Sequence, residues 1–355
     1  MFLKKPITAV AVYLFYFLFS IQGFSQETEK RSYKVTCVGF YNLENLFDYW
    51  DDTLINDEEY LPEGAKGWDS TKYHSKLHNM ARVVSEIGTK FSPDGAAVLG
   101  VCEVENRGVL EDLVAQPELQ KRNYKIVHFD SPDRRGVDCG LLYQEKYFKV
   151  KNATKYPLSF DSSEGGKSFT RDQLVVTGDM DGEDVTFIVC HWPSRWGGSK
   201  ASEPRRIAAA QVGRHIIDSL FTVNPDSKII YMGDLNDDPV NISMTEYIRA
   251  KGKKSKLKEG DLYNTMYDHF KRGNGTLAYN DAWNLFDQIA ISQAFLDEDA
   301  KKYVFHEAVV FRRDWMIQKE GQYAGYPLRT WAGGQWLNGY SDHFPTYIVL
   351  KKYAN

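Results

Sequence analysis

The chain has 355 residues, 43% of them hydrophobic and 14% aromatic, with a formal net charge of −4 at neutral pH. That is enough apolar material for a substantial core in one large domain or two. It is too acidic for a protein that grips nucleic acid by bulk electrostatics, so any phosphate recognition must be local, through a few Arg, Lys and His side chains or a bound cation.

Residues 1–25 read as a signal peptide. Lys4 and Lys5 precede an apolar stretch from Ile7 to about Ile21, and Gly23-Phe24-Ser25 supplies small residues at the −3 and −1 positions of a cleavage site. The stretch is shorter than the roughly 20 residues of a spanning helix. An uncleaved signal anchor is the competing reading; no later segment is apolar enough to cross a membrane. Either reading exports the rest of the chain, which is expected to be periplasmic, secreted or surface-anchored. A polar linker at 26–33 then leads into a single catalytic domain at 34–355.

In chain order, a strand is expected at 34–41, an acidic loop at 48–68 and a helix at 72–88, with Leu77, Met80, Val84 and Ile87 on one face. An apolar strand at 96–103 ends in acid. A short helix at 107–115 is followed by strands near 124–129, 138–143, 146–151, 172–178 and 184–191. Ser202 is placed to cap a long helix running to Phe221, with Ala209, Val212, Ile216 and Leu220 as its buried stripe. A buried strand at 228–232 ends at Gly233-Asp234. A Lys-rich loop follows at 251–258, then strands near 275–279, 286–291 and 304–311, a Gly- and aromatic-rich loop at 312–341, and a last strand at 345–351. Strands with interspersed helices, no internal repeat and no dividing linker predict two packed sheets with helices outside, a layered α/β sandwich. Cys37, Cys102, Cys139 and Cys190 lie in apolar runs without a CxxC pair, which argues against zinc and favours free buried thiols over disulfides.

Short polar motifs interrupt these strands at their ends, where the backbone is fixed and the side chains still reach solvent. They are Phe40-Tyr41-Asn42-Leu43-Glu44-Asn45, Val101-Cys102-Glu103-Val104-Glu105-Asn106, Cys190-His191-Trp192-Pro193-Ser194-Arg195, Gly233-Asp234-Leu235-Asn236-Asp237-Asp238 and Ser341-Asp342-His343-Phe344-Pro345, with Trp283-Asn284-Leu285-Phe286-Asp287-Gln288 entering a strand. Each alone reads equally well as a turn, an exposed strand end or a satisfied core histidine. His306-Glu307 begins an HExxH pattern, but the second histidine's place is taken by Val310, and no GxxxxGK[ST] loop is present.

Taken in order, Asn42, Glu103, His191, Gly233-Asp234-Leu235-Asn236, Asp287 and Ser341-Asp342-His343 resemble the endonuclease/exonuclease/phosphatase superfamily, with the deoxyribonuclease-I-like fold, over about residues 36–350. The resemblance implies a two-sheet β-sandwich flanked by helices and a site for Mg²⁺ or Mn²⁺. Glu103 would be the principal ligand with Asn42 beside it, and Asp342 would approach the same side. Asp234 would orient or deprotonate the attacking water, helped by Asn236. His343, oriented by Asp287, and His191 on the opposite wall would face the phosphate. Hard oxygen donors suit such ions, and a divalent ion relieves crowded carboxylates. Arg195 and Arg205 are read as candidate phosphate clamps, with ordinary surface arginines as the alternative, and Asp138 as a further candidate.

The substrate is expected to be a phosphodiester, nucleic acid first, with no obligate protein partner. A phosphomonoesterase, or a phosphodiesterase acting on lipid headgroups or inositol, is the alternative, and an inactive binding module the third reading. The aromatic loops (Trp192, Trp196, Trp315, Tyr323, Tyr326, Trp331, Trp336 and Tyr340) can stack on bases or meet lipid headgroups, though packing is expected for most of these rings.

Overall fold

Apolar runs with period two dominate the chain, and in the computed structural model they become strands of two mixed sheets. The structure describes residues 1–2, 32–161, 166–297 and 299–354. The signal peptide and most of the linker lie outside the described residues; the linker's last residue, Tyr33, already belongs to the first strand. Among the described residues no helix is long and apolar enough to cross a membrane.

The thirteen strands of the two large sheets are β1 (Tyr33–Leu46), β2 (Ala96–Val104), β3 (Tyr124–His128), β4 (Asp138–Gln144), β5 (Lys149–Tyr156), β6 (Gln173–Met180), β7 (Glu183–His191), β8 (Lys228–Asp234), β9 (Ala250–Lys251), β10 (Leu262–Asn264), β11 (Asp287–Ser292), β12 (Val304–Val310) and β13 (Thr346–Tyr353). One sheet runs β12-β13-β1-β2-β4-β3, the other β9-β10-β11-β8-β7-β6-β5. Three apolar clusters fix the layers. Val38, Phe40, Val98, Phe187, Val189, Ile230 and Met232 pack between the sheets. Helix α1 (Ser70–Glu86) and helix α2 (Arg107–Val114) cover the outer face of the first sheet, and helix α3 (Ser199–Val223) covers the second. The expected layered α/β sandwich is therefore the observed one.

Several boundaries differ for local reasons. Asp69 accepts from the Lys72 backbone N–H at 3.0 Å, so α1 starts before the expected 72. Residues 145–148 form a turn, with the Tyr147 and Phe148 N–H groups on the Gln144 carbonyl, which moves the strand expected at 146–151 to β5. Ser202 is not the cap of α3. It lies inside the first turn, its hydroxyl donating to the Gly198 carbonyl at 2.7 Å and accepting from Arg206 Nη1 at 2.7 Å. The strand expected near 275–279 pairs with Ala282–Asn284 in a small separate hairpin. All four cysteines are buried and free.

The connections decide where chemistry can occur. β1 and β2 run parallel, as do β7 and β8, so their C-terminal ends lie on one edge of the sandwich. The antiparallel neighbours β11 and β13 bring their starts to that same edge. The sheets approach closely beneath it: a Cβ added to Gly100 would meet Met232 Cε at 2.9 Å and Val189 Cγ1 at 3.1 Å. At Gly233, paired with Cys190, an added Cβ would fall 2.2 Å from the Cys190 carbonyl oxygen. Gly233→Ala should therefore lower unfolding stability by about 1–3 kcal/mol through overpacking. Denaturant midpoints of the two proteins check this, and an unchanged midpoint would mean that β7 and β8 can separate freely.

Candidate active site

Strand alternation delivers most of the site. On β8, Ile230 and Met232 point into the space between the sheets, and Asp234 has the same parity. His191 continues Phe187 and Val189 on β7, Asp287 precedes Ile289 and Ile291 on β11, and Asn42 follows Val38 and Phe40 on β1. Asp234 is in register with His191 on one side and Asp287 on the other, which places three polar side chains in one row at the open end of an apolar core.

Glu103 breaks the rule. Cys102 faces between the sheets and Val101 faces α1 and α2, so simple alternation would aim Glu103 at the helices. Its φ of 59° and the register shift between Cys102 and Val104 form a bulge that turns it to the site edge. β1 bends opposite it, with φ of 48° at Glu44 and 53° at Asn45, and the Asn45 N–H donates to Glu103 Oε2 at 3.0 Å. Left-handed backbone at a non-glycine residue costs about 1–2 kcal/mol. It is kept here at residues that reach the site.

The Asp234 carboxylate is the hub. Oδ2 accepts from Asn42 Nδ2 at 3.0 Å and lies 3.7 Å from His191 Nε2 and 3.8 Å from His343 Nε2. Oδ1 accepts from the Asn236 N–H at 3.0 Å. His191 Nε2 is also 3.7 Å from Glu103 Oε1. His343 Nδ1 lies 2.6 Å from Asp287 Oδ2. Ser341 donates to the Asn42 carbonyl and accepts from the His343 N–H, tying β1 to the start of β13.

Electrostatics set the two histidines apart. Burial, then Arg171, Arg135 and His343, push the His191 pKa well below the usual histidine value, so it is neutral. Its Nδ1 is buried without a partner. Burial would lower His343 as well, but the carboxylates of Asp287 and Asp234 outweigh it and hold the ring protonated. Burial, with the charges of Asp287 and Glu103, pushes Asp234 up to about 7 against the pull of His343.

The donor set fits a divalent cation: ligand atoms of Glu103, His191 and Asp234 lie within 4.8 Å of one another, and the carboxylates crowd in a buried pocket. A second acidic grouping, His128, Asp130 and Asp138, surrounds the start of β4; Asp138 accepts there from the Ser131 N–H at 2.8 Å, from the Ser131 hydroxyl and from the His128 ring.

A sequence model described as the Endonuclease/Exonuclease/phosphatase family matches residues 37–352. The chain belongs to this family. Its members hydrolyse phosphoester bonds, generally with a divalent metal ion. Similar solved structures include truncated TDP2 from Caenorhabditis elegans, at 16% identity and a TM-score of 0.50 over 90% of this chain and 98% of that one. A family protein from Bacteroides thetaiotaomicron is similar at 15% and 0.51 over 91% and 97%, and that organism's mannosyl-6-phosphatase at 16% and 0.52 over 89% and 99%. At such identities these likenesses establish the fold. No curated protein matches the sequence.

Within this family frame, the structure brings together Asn42, Glu103, His191, Asp234, Asp287 and His343. Asn236 is adjacent, with φ of 49°, but its side-chain amide donates to the Trp192 carbonyl at 3.0 Å and so links two loops. Asp342 is held by Arg329 at 2.8 Å. Arg195 differs from the expected clamp. Its guanidinium donates to the Asn236 carbonyl at 2.9 Å, to Asp237 and Asp238 at 3.2 Å each and to Asn241 at 3.3 Å, over the Phe286 ring, so its donors brace the loop after Asp234. Arg205 donates to the Trp196 carbonyl at 3.1 Å and has no site residue as a partner, so it too departs from that role.

The sequence reading missed a buried charge network. Lys76, fully buried on α1, donates to Thr330 Oγ1 at 2.5 Å and to the Tyr340 carbonyl at 2.7 Å, with Glu44 Oε2 at 4.0 Å. Arg329 Nε donates to Glu44 Oε1 at 3.2 Å. The signal was present, since Lys76 falls three residues after Tyr73 and four before Met80, on the apolar stripe of α1. Arg171, which donates to Asp133 at 2.9 Å and to the Trp192 carbonyl at 2.8 Å, was also missed, and no periodicity marks it.

The His343–Asp287 pair has a calculable pH signature. Its histidine pKa lies above the unfolded value near 6.5, so its stabilisation is complete below about pH 6.5 and is lost as pH rises through the folded pKa. Asp287→Asn should cost about 3–5 kcal/mol at about pH 6 and progressively less in alkaline buffer. Urea unfolding across that range measures this, and a deficit that stays constant with pH would remove the ion pair as its source.

Proposed function

We propose that the protein is an exported phosphoesterase that hydrolyses its substrate by attack of water on phosphorus, with Mg²⁺ or Mn²⁺ as cofactor. The observation that carries this is the in-register row His191, Asp234 and Asp287, with a neutral and a protonated histidine on opposite sides of one buried carboxylate. A divalent ion held by Glu103 and Asn42, with Asp342 on the same side, would polarise a phosphoryl oxygen and offset charge on the leaving oxygen.

The side chains divide the remaining work. Asp234, with a pKa near 7, takes the proton of the attacking water. The Asn236 N–H and the Asn42 amide orient that carboxylate. His343 presents its Nε2–H to the phosphate as negative charge builds, and Asp287 holds the ring by Nδ1. His191 forms the opposite wall. Export rests on the apolar leader with its Gly23-Phe24-Ser25 site.

A nuclease is the first expectation from the sequence. A specific observation favours a phosphomonoester instead. The cavity bordering Asp342 carries Arg329 as the one cation among its lining residues, against Asp281, Glu320 and Asp342, a poor setting for a polyanion. The similar mannosyl-6-phosphatase supports the same direction.

The mature chain, assayed with Mg²⁺ or Mn²⁺ on plasmid DNA, RNA, a bis-arylphosphate, inositol phosphate, sphingomyelin and simple phosphomonoesters, should turn over the monoesters fastest. Folded protein that hydrolyses none of them would end the enzyme reading. Glu103→Ala and His343→Ala should each lower kcat roughly 10²–10⁴-fold, and activity surviving both would refute the site assignment. EDTA should abolish turnover while far-ultraviolet circular dichroism stays unchanged. Unfolding by EDTA would make the metal structural.

A further inference from the structure

Beside the catalytic edge lies a cavity of about 730 Å³, walled by the hairpin around residues 277–284 and by the long loop before β13. Its inner end is Arg329 and Asp342, the latter adjoining His343. The wall is continuous with the catalytic histidine: Phe344 stacks on Trp283 at 6.1 Å and 12°, and Trp283 lies 6.1 Å from Tyr326. The two walls are joined, because the Tyr326 hydroxyl donates to Asp281 Oδ1 at 2.7 Å and accepts from the Asp281 N–H at 2.7 Å.

The lining has a definite chemistry. Three phenol rings, Tyr279, Tyr323 and Tyr326, share it with the amides of Asn280, Gln318 and Gln322. Tyr279 and Tyr323 are well exposed, presenting ring faces to whatever enters. The guanidinium of Arg329 is already engaged with Glu44 at 3.2 Å and Asp342 at 2.8 Å. A second phosphate would therefore meet Asp281 and Glu320 with no free cation among the lining residues. An acyl chain would find chiefly amides, carboxylates and phenols where it needs aliphatic contact. Phenol faces to stack on the C–H face of a ring, with amides and carboxylates to bond its hydroxyls, suit an uncharged polyol.

We propose that this cavity is the leaving-group subsite, and that it receives an uncharged, polyhydroxylated ring, so that the substrate is a glycosyl phosphomonoester. The inference rests on the phosphoesterase reading and adds the identity of the group that departs. In the reaction water attacks phosphorus, the bond from phosphorus to the sugar oxygen breaks, and the products are inorganic phosphate and a sugar hydroxyl. Two sources share this chemistry: a free hexose phosphate, and a phosphorylated residue at the end of an oligosaccharide.

The test compares kcat/KM of the metal-loaded wild-type protein on methyl phosphate, a hexose 6-phosphate, an oligosaccharide ending in a phosphohexose and a 5′-phosphorylated oligonucleotide. Methyl phosphate has an alkyl leaving group like the sugar's but no ring. The hexose phosphate, the oligosaccharide or both should exceed methyl phosphate by at least about tenfold, and whichever is faster identifies the source. Tyr279→Ala and Tyr323→Ala, both at exposed positions where folding is least at risk, should each lower the ratio of sugar phosphate to methyl phosphate several-fold. Equal rates on sugar and methyl phosphates, a preference for the oligonucleotide, or ratios unmoved in both variants would overturn the subsite. Failure to hydrolyse every phosphoester would overturn the reading beneath it instead.

Discussion

A single buried carboxylate organises this molecule. Asp234 stands where the apolar space between two sheets runs out, and a charge there is tolerable only if it is surrounded by donors. Asn42, the Asn236 N–H and two imidazoles supply them, each from a different strand end or loop. The parallel pairs β1–β2 and β7–β8 bring those ends to one edge, and the register β7-β8-β11 makes them neighbours. The loops after β7 and β8 are then fixed by what supports that carboxylate. Arg195 and the buried Arg206 brace Asp237, while Asn236 and Arg171 share the Trp192 carbonyl.

Much of this was legible because strands write their geometry plainly. An apolar run of period two that ends in Asp, His or Asn places that residue at a strand mouth, and the layered sandwich followed from the number and spacing of such runs. Asp234, His191, Asp287 and Asn42 sit where parity puts them. Glu103 was found by motif and order, since its parity points the wrong way and only the bulge redirects it. Arginines read as phosphate clamps were misplaced, because a guanidinium near acidic motifs looks the same in sequence whether it meets substrate or props a turn. Arg195 does the latter. The Lys76–Glu44–Arg329–Asp342 network joins residues more than 250 positions apart, which no local pattern records.

The two histidines show how similar side chains acquire opposite roles. His343 is surrounded by carboxylates and keeps its proton. His191, equally buried, feels Arg171 and Arg135 more than its acidic neighbours and loses it. One face of the site can therefore donate to an anion while the other stays uncharged, without any difference in residue type. Substrate choice lies elsewhere, in the loop before β13 and the hairpin at 277–284, which share no strand with the catalytic row.

That separation depends on the amine of Lys76. It grips Thr330 and the Tyr340 carbonyl at once, and Thr330 in turn donates to that carbonyl at 3.3 Å and to Glu44 at 2.7 Å. Both ends of the segment 330–340 are pinned to one point on α1, just before the chain enters Ser341-Asp342-His343. Whatever lies between the pins can be lengthened, shortened or rewritten without passing strain to the residues behind it. The segment is an exchangeable cassette, and a lineage could change what the protein accepts there while leaving its chemistry in place.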